Sequence, residues 1–261
     1  MYYHCLVVSY KGTKYFGWQD LGTKEQKPTV EATIYKVLKK ICKYQSCTIS
    51  SASRTDAGVH AQGQVIKITI DLLIDSHKLL LGMNSLLPDD IRIIECNPST
   101  LEFNSNKDCK SKEYHYYFCS DLISNPILND LVMNVPLNNY GSNIELDIEL
   151  MQEACKLFVG EHDFYSFSKR DANINSTFRT IYSCEILQSP SLTMGNKIYY
   201  LKIIGKGFLS YMVRYISGAL FELGKNKITL SDIREALSIH KEHKISSKAK
   251  SCGLHLINIT Y

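Results

Sequence analysis

Residues 51–70 read SASRTDAGVHAQGQVIKITI, and the second half of that run decides what scaffold the chain builds. From Val65 to Ile70 the types alternate, with Ile66, Ile68 and Ile70 on one side and Lys67 and Thr69 on the other. That two-residue period is the pattern of a strand with one face buried. Working back, the first half is a polar turn, and residues 47–53 form a weaker strand before it. Pro28-Thr29 opens a helix: Thr29 caps it, Glu31 suits its first turn, and Val30, Ile34, Val37, Leu38 and Ile41 share one face. Residues 2–10, YYHCLVVSY, have the aromatic and β-branched content of a strand. Working forward, DSHKLLLGMNSLLPDD is a helix ending before Pro88, and IRIIEC is another strand. The first hundred residues therefore read β-α-β-β-α-β.

The remainder repeats that order. KEYHYYFC (112–119) is a strand, and Asp147 caps a helix striped by Ile148, Met151, Cys155 and Phe158, with Gly160 as its stop. FRTIYSCEIL and KIYYLKIIGK form a hairpin, GFLSYMVRYISGALFELG an apolar helix, SDIREALSI a short one, and LHLINITY the last strand. The expected fold is α+β: two tandem ferredoxin-like halves joined into one mainly antiparallel mixed sheet, with helices packed against it. Residues 1–104 make the half that carries the Asp turn and 105–261 the other, together one catalytic unit, with the 120–146 loop at the seam.

Composition narrows the class without naming it. The 261 residues are 44% hydrophobic and 21% charged, with a formal charge of +4, which fits a globular chain and neither disorder nor a fibrous repeat. No apolar run approaches the roughly 18 residues of a membrane span. The first residues read as a strand rather than a targeting segment, so a cytoplasmic location is expected. Nine scattered cysteines with no C-x-x-C pair are read as reduced thiols. His240 and His243 stand three apart, but no Cys or acidic cluster nearby completes a metal set, so no metal is expected. Of 30 basic residues only six are Arg, at 54, 92, 170, 179, 214 and 234. Because a guanidinium is a rigid fork and an ammonium a flexible point charge, each Arg merits attention.

The turn itself, Arg54-Thr55-Asp56-Ala57-Gly58, admits two readings. It is a structural bend, with Gly58 at positive φ and Arg54 paired across it. Alternatively Asp56 is a carboxylate held on rigid strands as a nucleophile or general base. The longer string R-T-D-A-G-V-H-A, followed by G-Q-V, resembles the signature of the tRNA pseudouridine synthase A family. Five further stretches of this chain resemble that family in order: Tyr10-Lys11-Gly12-Thr13 with Phe16-Gly17-Trp18-Gln19, then TVEATI, then Tyr114-His115-Tyr116. Gly207-Phe208-Leu209 with Met212-Val213-Arg214 and Gly253-Leu254-His255-Leu256 complete the set.

The resemblance implies the pseudouridine synthase fold and isomerisation of uridine to pseudouridine, with Asp56 as the required carboxylate. Bond count and net charge are conserved, so no cofactor is expected. Arg214, set among apolar neighbours, is costly to bury unless it meets an anion, and Asp56 would serve. Tyr114 is expected to stack on a flipped uracil, Leu254 to form another wall, and Arg54 to contact RNA or shape the loop. Lys107, Lys110, Lys112, Lys169, Arg170, Lys241, Lys244, Lys248 and Lys250 suit generic phosphate attraction. By the same resemblance the partner is tRNA, the target its anticodon stem-loop at positions 38–40, and the enzyme a homodimer with no membrane association. Three positions depart from the family pattern: Lys11 for Asp, Ser53 for Gly, and Asn106 for the Arg of F-[HN]-A-R. The alternative is a non-catalytic RNA-binding or RNA-chaperone protein on the same scaffold. A glycosidase would need a second well-placed carboxylate, which the sequence does not offer.

Overall fold

The computed structural model describes residues 1–19, 28–121, 125–135, 146–171, 174–190, 197–239 and 244–261. His240, His243 and Lys241 lie outside the described residues, as do parts of the 120–146 loop and of the turn between the expected hairpin strands. The fold is α+β. In chain order the elements are β1 (Tyr2–Tyr10), α1 (Val30–Ile41), β2 (Cys47–Ser51), β3 (His60–Ile70), α2 (Ser76–Leu86) and β4 (Ile91–Pro98). Then come β5 (Ser111–Cys119), β6 (Met133–Asn134), α3 (Ile148–Cys155), β7 (Gly160–Asp163), β8 (Phe178–Gln188) and β9 (Tyr199–Gly205). The series closes with α4 (Met212–Gly224), α5 (Leu230–Ser238) and β10 (Leu254–Thr260).

Two compact units result: 1–110 with 255–261, and 111–254. The division falls after Lys110 rather than at 104, and nearly all of β10 belongs to the first unit although it ends the second half of the sequence. In the first unit, β1 lies between β4 and β3 and is antiparallel to both. β3 is long enough to serve two partners along its other edge. Ile66–Ile70 pairs antiparallel with β2, and His60 and Ala61 pair parallel with His255 and Leu256 of β10. The core follows the alternation read from the sequence: Leu6, Val8, Ile66, Ile68 and Ile70 are buried together with Val30, Ile34 and Leu38 of α1 and Leu79 and Met83 of α2. Thr29 accepts a hydrogen bond from the Ala32 N–H, and Asp75 caps α2 through His77 and Lys78.

In the second unit β9 runs antiparallel between β5 and β8, and β7 extends the β8 edge. Asp147 caps α3 through Leu150, as expected. The helix gives way at Cys155 to a tight turn over Lys156–Phe158, and Gly160, at φ +109°, begins β7 rather than stopping the helix. α4 starts at Met212, not at Gly207, because Tyr211 takes a left-handed conformation at φ 65° that a helix cannot include. Of residues 207–211 only Leu209 is buried, and none is helical.

Candidate active site

The Asp56 turn is assembled by residues that arrive from four places in the first unit. Tyr10, at the end of β1, sets its hydroxyl 2.7 Å from Thr55 Oγ1 inside the core. The Trp18 N–H donates to the Thr55 carbonyl at 3.0 Å, and the Gly58 N–H to the Tyr15 carbonyl at 3.3 Å. The Val59 N–H closes the turn onto the Asp56 carbonyl at 3.1 Å, with Gly58 at φ 76°, the left-handed geometry expected of it. Before the turn, buried Gln64 clamps Ser53 twice: its amide nitrogen donates to the Ser53 carbonyl at 2.6 Å, and its oxygen accepts the Ser53 N–H at 3.2 Å. Ser53 is not at positive φ, so its backbone does not require a Gly.

His60 sits at the first residue of β3 and is buried. Its Nδ1 accepts the Gly12 N–H at 3.1 Å, which puts the proton of the neutral ring on Nε2. The same ring stacks on His255 with centroids 4.6 Å apart. The opening Tyr10–Trp18 stretch, the R-T-D turn and His255 of the closing stretch, distant in sequence, thus meet within the first unit. The third stretch joins them where Val30 and Glu31, at the start of α1, donate to the carbonyls of Gly17 and Trp18. Tyr15 donates its hydroxyl to Asp90 at 2.5 Å. Burial first, and then that carboxylate, hold its pKa far above the usual phenol range.

On this frame Asp56 is half-buried and Arg54 exposed. Arg54 makes no hydrogen bond or ion pair among the described residues, so pairing across the bend does not occur. Asn106, where the family resemblance leads one to expect an Arg, is exposed on a loop held by side-chain contacts. The Asn104 side chain accepts from the Asn106 and Lys107 N–H groups, and Tyr261 donates its hydroxyl to the Ser105 carbonyl at 2.6 Å.

The remaining candidates lie in the second unit. Tyr114, on β5, is buried and meets Phe208 edge-on at 5.3 Å, so the Y-x-Y and G-F-L stretches come together. Arg214, in the first turn of α4, is 8% exposed, which excludes a solvent-facing role. Its Nε donates to the Ala249 carbonyl at 2.8 Å, and its guanidinium lies 5.3 Å from the Tyr211 ring centroid. Leu254 is buried at the head of β10. Among the described residues no three His, Cys, Asp or Glu side chains are grouped to hold a metal ion. No helix of the described residues is long and apolar enough to cross a membrane.

Sequence reading singled out Asp56 and Arg54 but assigned no part to Tyr10, Gln64 or His255. Their contribution is contact across 45, 11 and 195 positions, which local pattern does not encode.

Residues 6–106 and 154–261 match the family described as tRNA pseudouridine synthase, which sets the class of enzyme, an isomerase. The tRNA pseudouridine synthase A 2 of Desulfotalea psychrophila is 50% identical over 262 residues, covering 99% of this chain and 98% of the relative. Proteins named tRNA pseudouridine synthase A are 33% identical over 256 residues in Listeria innocua, covering 98% and 97%, and 35% identical over 262 residues in Thermodesulfovibrio yellowstonii, covering 98% of each. The chain belongs to the tRNA pseudouridine synthase family.

Proposed function

We propose that this enzyme isomerises uridine to pseudouridine in the anticodon stem-loop of tRNA, at positions 38–40, with Asp56 as the catalytic carboxylate. The N-glycosidic bond breaks, the uracil turns, C5 bonds to the ribose carbon, and the C5 hydrogen leaves as a proton. A free carboxylate is ionised at neutral pH in any case, so neighbouring groups need only aim it and offset its desolvation. The observation that carries this reading is the Asp56 turn. Hydrogen bonds fix Thr55 and Gly58 on either side, while the half-buried carboxyl sits beside an exposed Arg54 that has no ion pair among the described residues. Arg54 then meets RNA phosphate, Tyr114 stacks on the flipped base, Arg214 supplies a buried cation and Leu254 an apolar wall. The reading extends to a homodimer in the cytoplasm; a sedimentation mass of one 29.7 kDa chain would remove the dimer from it.

Tritium at uracil C5 provides the test. Wild type should release label from tRNA, with the new nucleosides mapping to positions 38–40. Asp56→Asn should lower release by at least about three orders of magnitude with tRNA affinity kept within about twofold. Tight binding of tRNA with no release from any substrate would instead establish the non-catalytic RNA-binding alternative.

A further inference from the structure

The second unit carries a strip in which cations and tyrosine rings alternate. Lys244 Nζ lies 5.3 Å from the Tyr165 ring centroid and 5.5 Å from that of Tyr215, and it donates to the Tyr165 carbonyl at 2.7 Å. The guanidinium of Arg170 faces the same Tyr165 ring at 5.6 Å. Lys248 Nζ sits 3.5 Å from the ring centroid of Tyr211, the residue just before α4, and Arg214 also faces that ring. Four cations therefore share three rings.

Ring faces attract cations, but two cations on one ring repel each other. Lys244 is half-buried, and burial together with the nearby Arg170 charge pushes its pKa below the usual ammonium range. It has no ion pair among the described residues. Asp163, the acid closest to Tyr165 in sequence, spends one carboxyl oxygen on the Tyr165 N–H and the Thr177 hydroxyl. The Arg170 charge acting on Lys244 in a partly dehydrated place is costly in the free protein, and an anion arriving between the two removes that cost. A phosphodiester fits: it is permanently charged, offers unshared oxygens to a fork and an ammonium, and recurs at regular steps along a strand. The rings hold the cations in position, so less side-chain freedom is lost on binding.

We propose that Lys244 and Arg170, steadied by Tyr165, and Lys248, steadied by Tyr211, form a docking strip for successive phosphates of the tRNA backbone. The proposal rests on tRNA being the substrate. Unmodified tRNA transcript is titrated into the full-length protein between about 50 and 200 mM salt. Lys244→Gln and Arg170→Gln should each weaken binding about three- to tenfold at the low end and flatten the slope of log affinity against log salt by about 1. Lys244→Arg should restore both. At saturating tRNA the Gln variants should keep wild-type label release, so KM rises and kcat does not. Unchanged salt slopes in both Gln variants overturn the strip. A loss of kcat without change of slope also overturns it, because that reduces Lys244 to a structural tie on the Tyr165 carbonyl. A wild type that binds tRNA with the full slope but releases no label refutes the isomerase reading and leaves the strip standing.

Discussion

At Gly12 an added Cβ would lie 1.9 Å from the carbonyl oxygen of Val59, far inside contact distance and against backbone that cannot swing away. The same residue donates its N–H to His60, so any side chain there pushes the opening stretch off the turn that carries Asp56. Gly12→Ala should destabilise the protein by about 2–4 kcal/mol and cut label release at least tenfold; thermal melts and the tritium assay check both. A variant with wild-type stability and activity would mean the turn tolerates displacement. At this scale the polar motif was legible and the contacts that support it were not. Arg54, Asp56 and His60 stand out because an Arg-x-Asp and a His share a short polar run, whereas the Tyr10 hydroxyl on Thr55 and the Gln64 clamp on Ser53 are visible only once the chain has folded.

Among the elements, α5 has the most complete local design. Thr229 accepts from the Asp232 N–H at 3.3 Å while the Asp232 carboxylate accepts from the Thr229 N–H at 2.8 Å, each satisfying a donor the first turn would leave exposed. Thr229→Ala removes half of that exchange and should cost about 1 kcal/mol, seen as faster amide exchange across 230–238 with label release unchanged; equal exchange rates would show the cap is idle. Elements with a strong local signal were read correctly: β1 from its aromatic and β-branched content, β3 from alternation, α1 from a three-to-four spacing, α2 from its stop before Pro88 and α3 from its Asp147 cap. β7 was missed because Gly-Glu-His-Asp has no apolar alternation; it is a short strand that gains its structure from pairing with β8. The start of α4 was misread because Leu209 and Met212 are buried alike, one outside the helix and one within.

The whole molecule should weaken in mild acid. His4 in the first unit, against Ser76, Cys96 and Asp75, and His115 in the second, against Glu113, Tyr117 and Lys202, are both held below the ordinary imidazole pKa near 6.5, burial outweighing the nearby carboxylates. In such groups the unfolded chain binds the proton more readily. Their full contribution is present above about pH 6.5 and is lost as pH falls from there to the folded-state values. Melting temperatures taken from pH 7.5 to 5.5 should decline, and His4→Gln should decline less steeply. Parallel declines would show that other groups carry the effect. The chain forms two compact units, 1–110 with 255–261 and 111–254. The return of β10 to the first unit was not legible in the sequence, since nothing in LHLINITY says which edge it will join.

That return has a consequence for how the chain is made. The first unit contains residues 1–110, yet the partner of His60 and Ala61 on β3 is supplied by His255 and Leu256. A ribosome that has finished the R-T-D turn must still translate well over a hundred codons before the imidazole stacked on His60 exists. Until then the nascent N-terminal segment waits with an open seam, and the Asp56 turn lacks the ring that packs on His60.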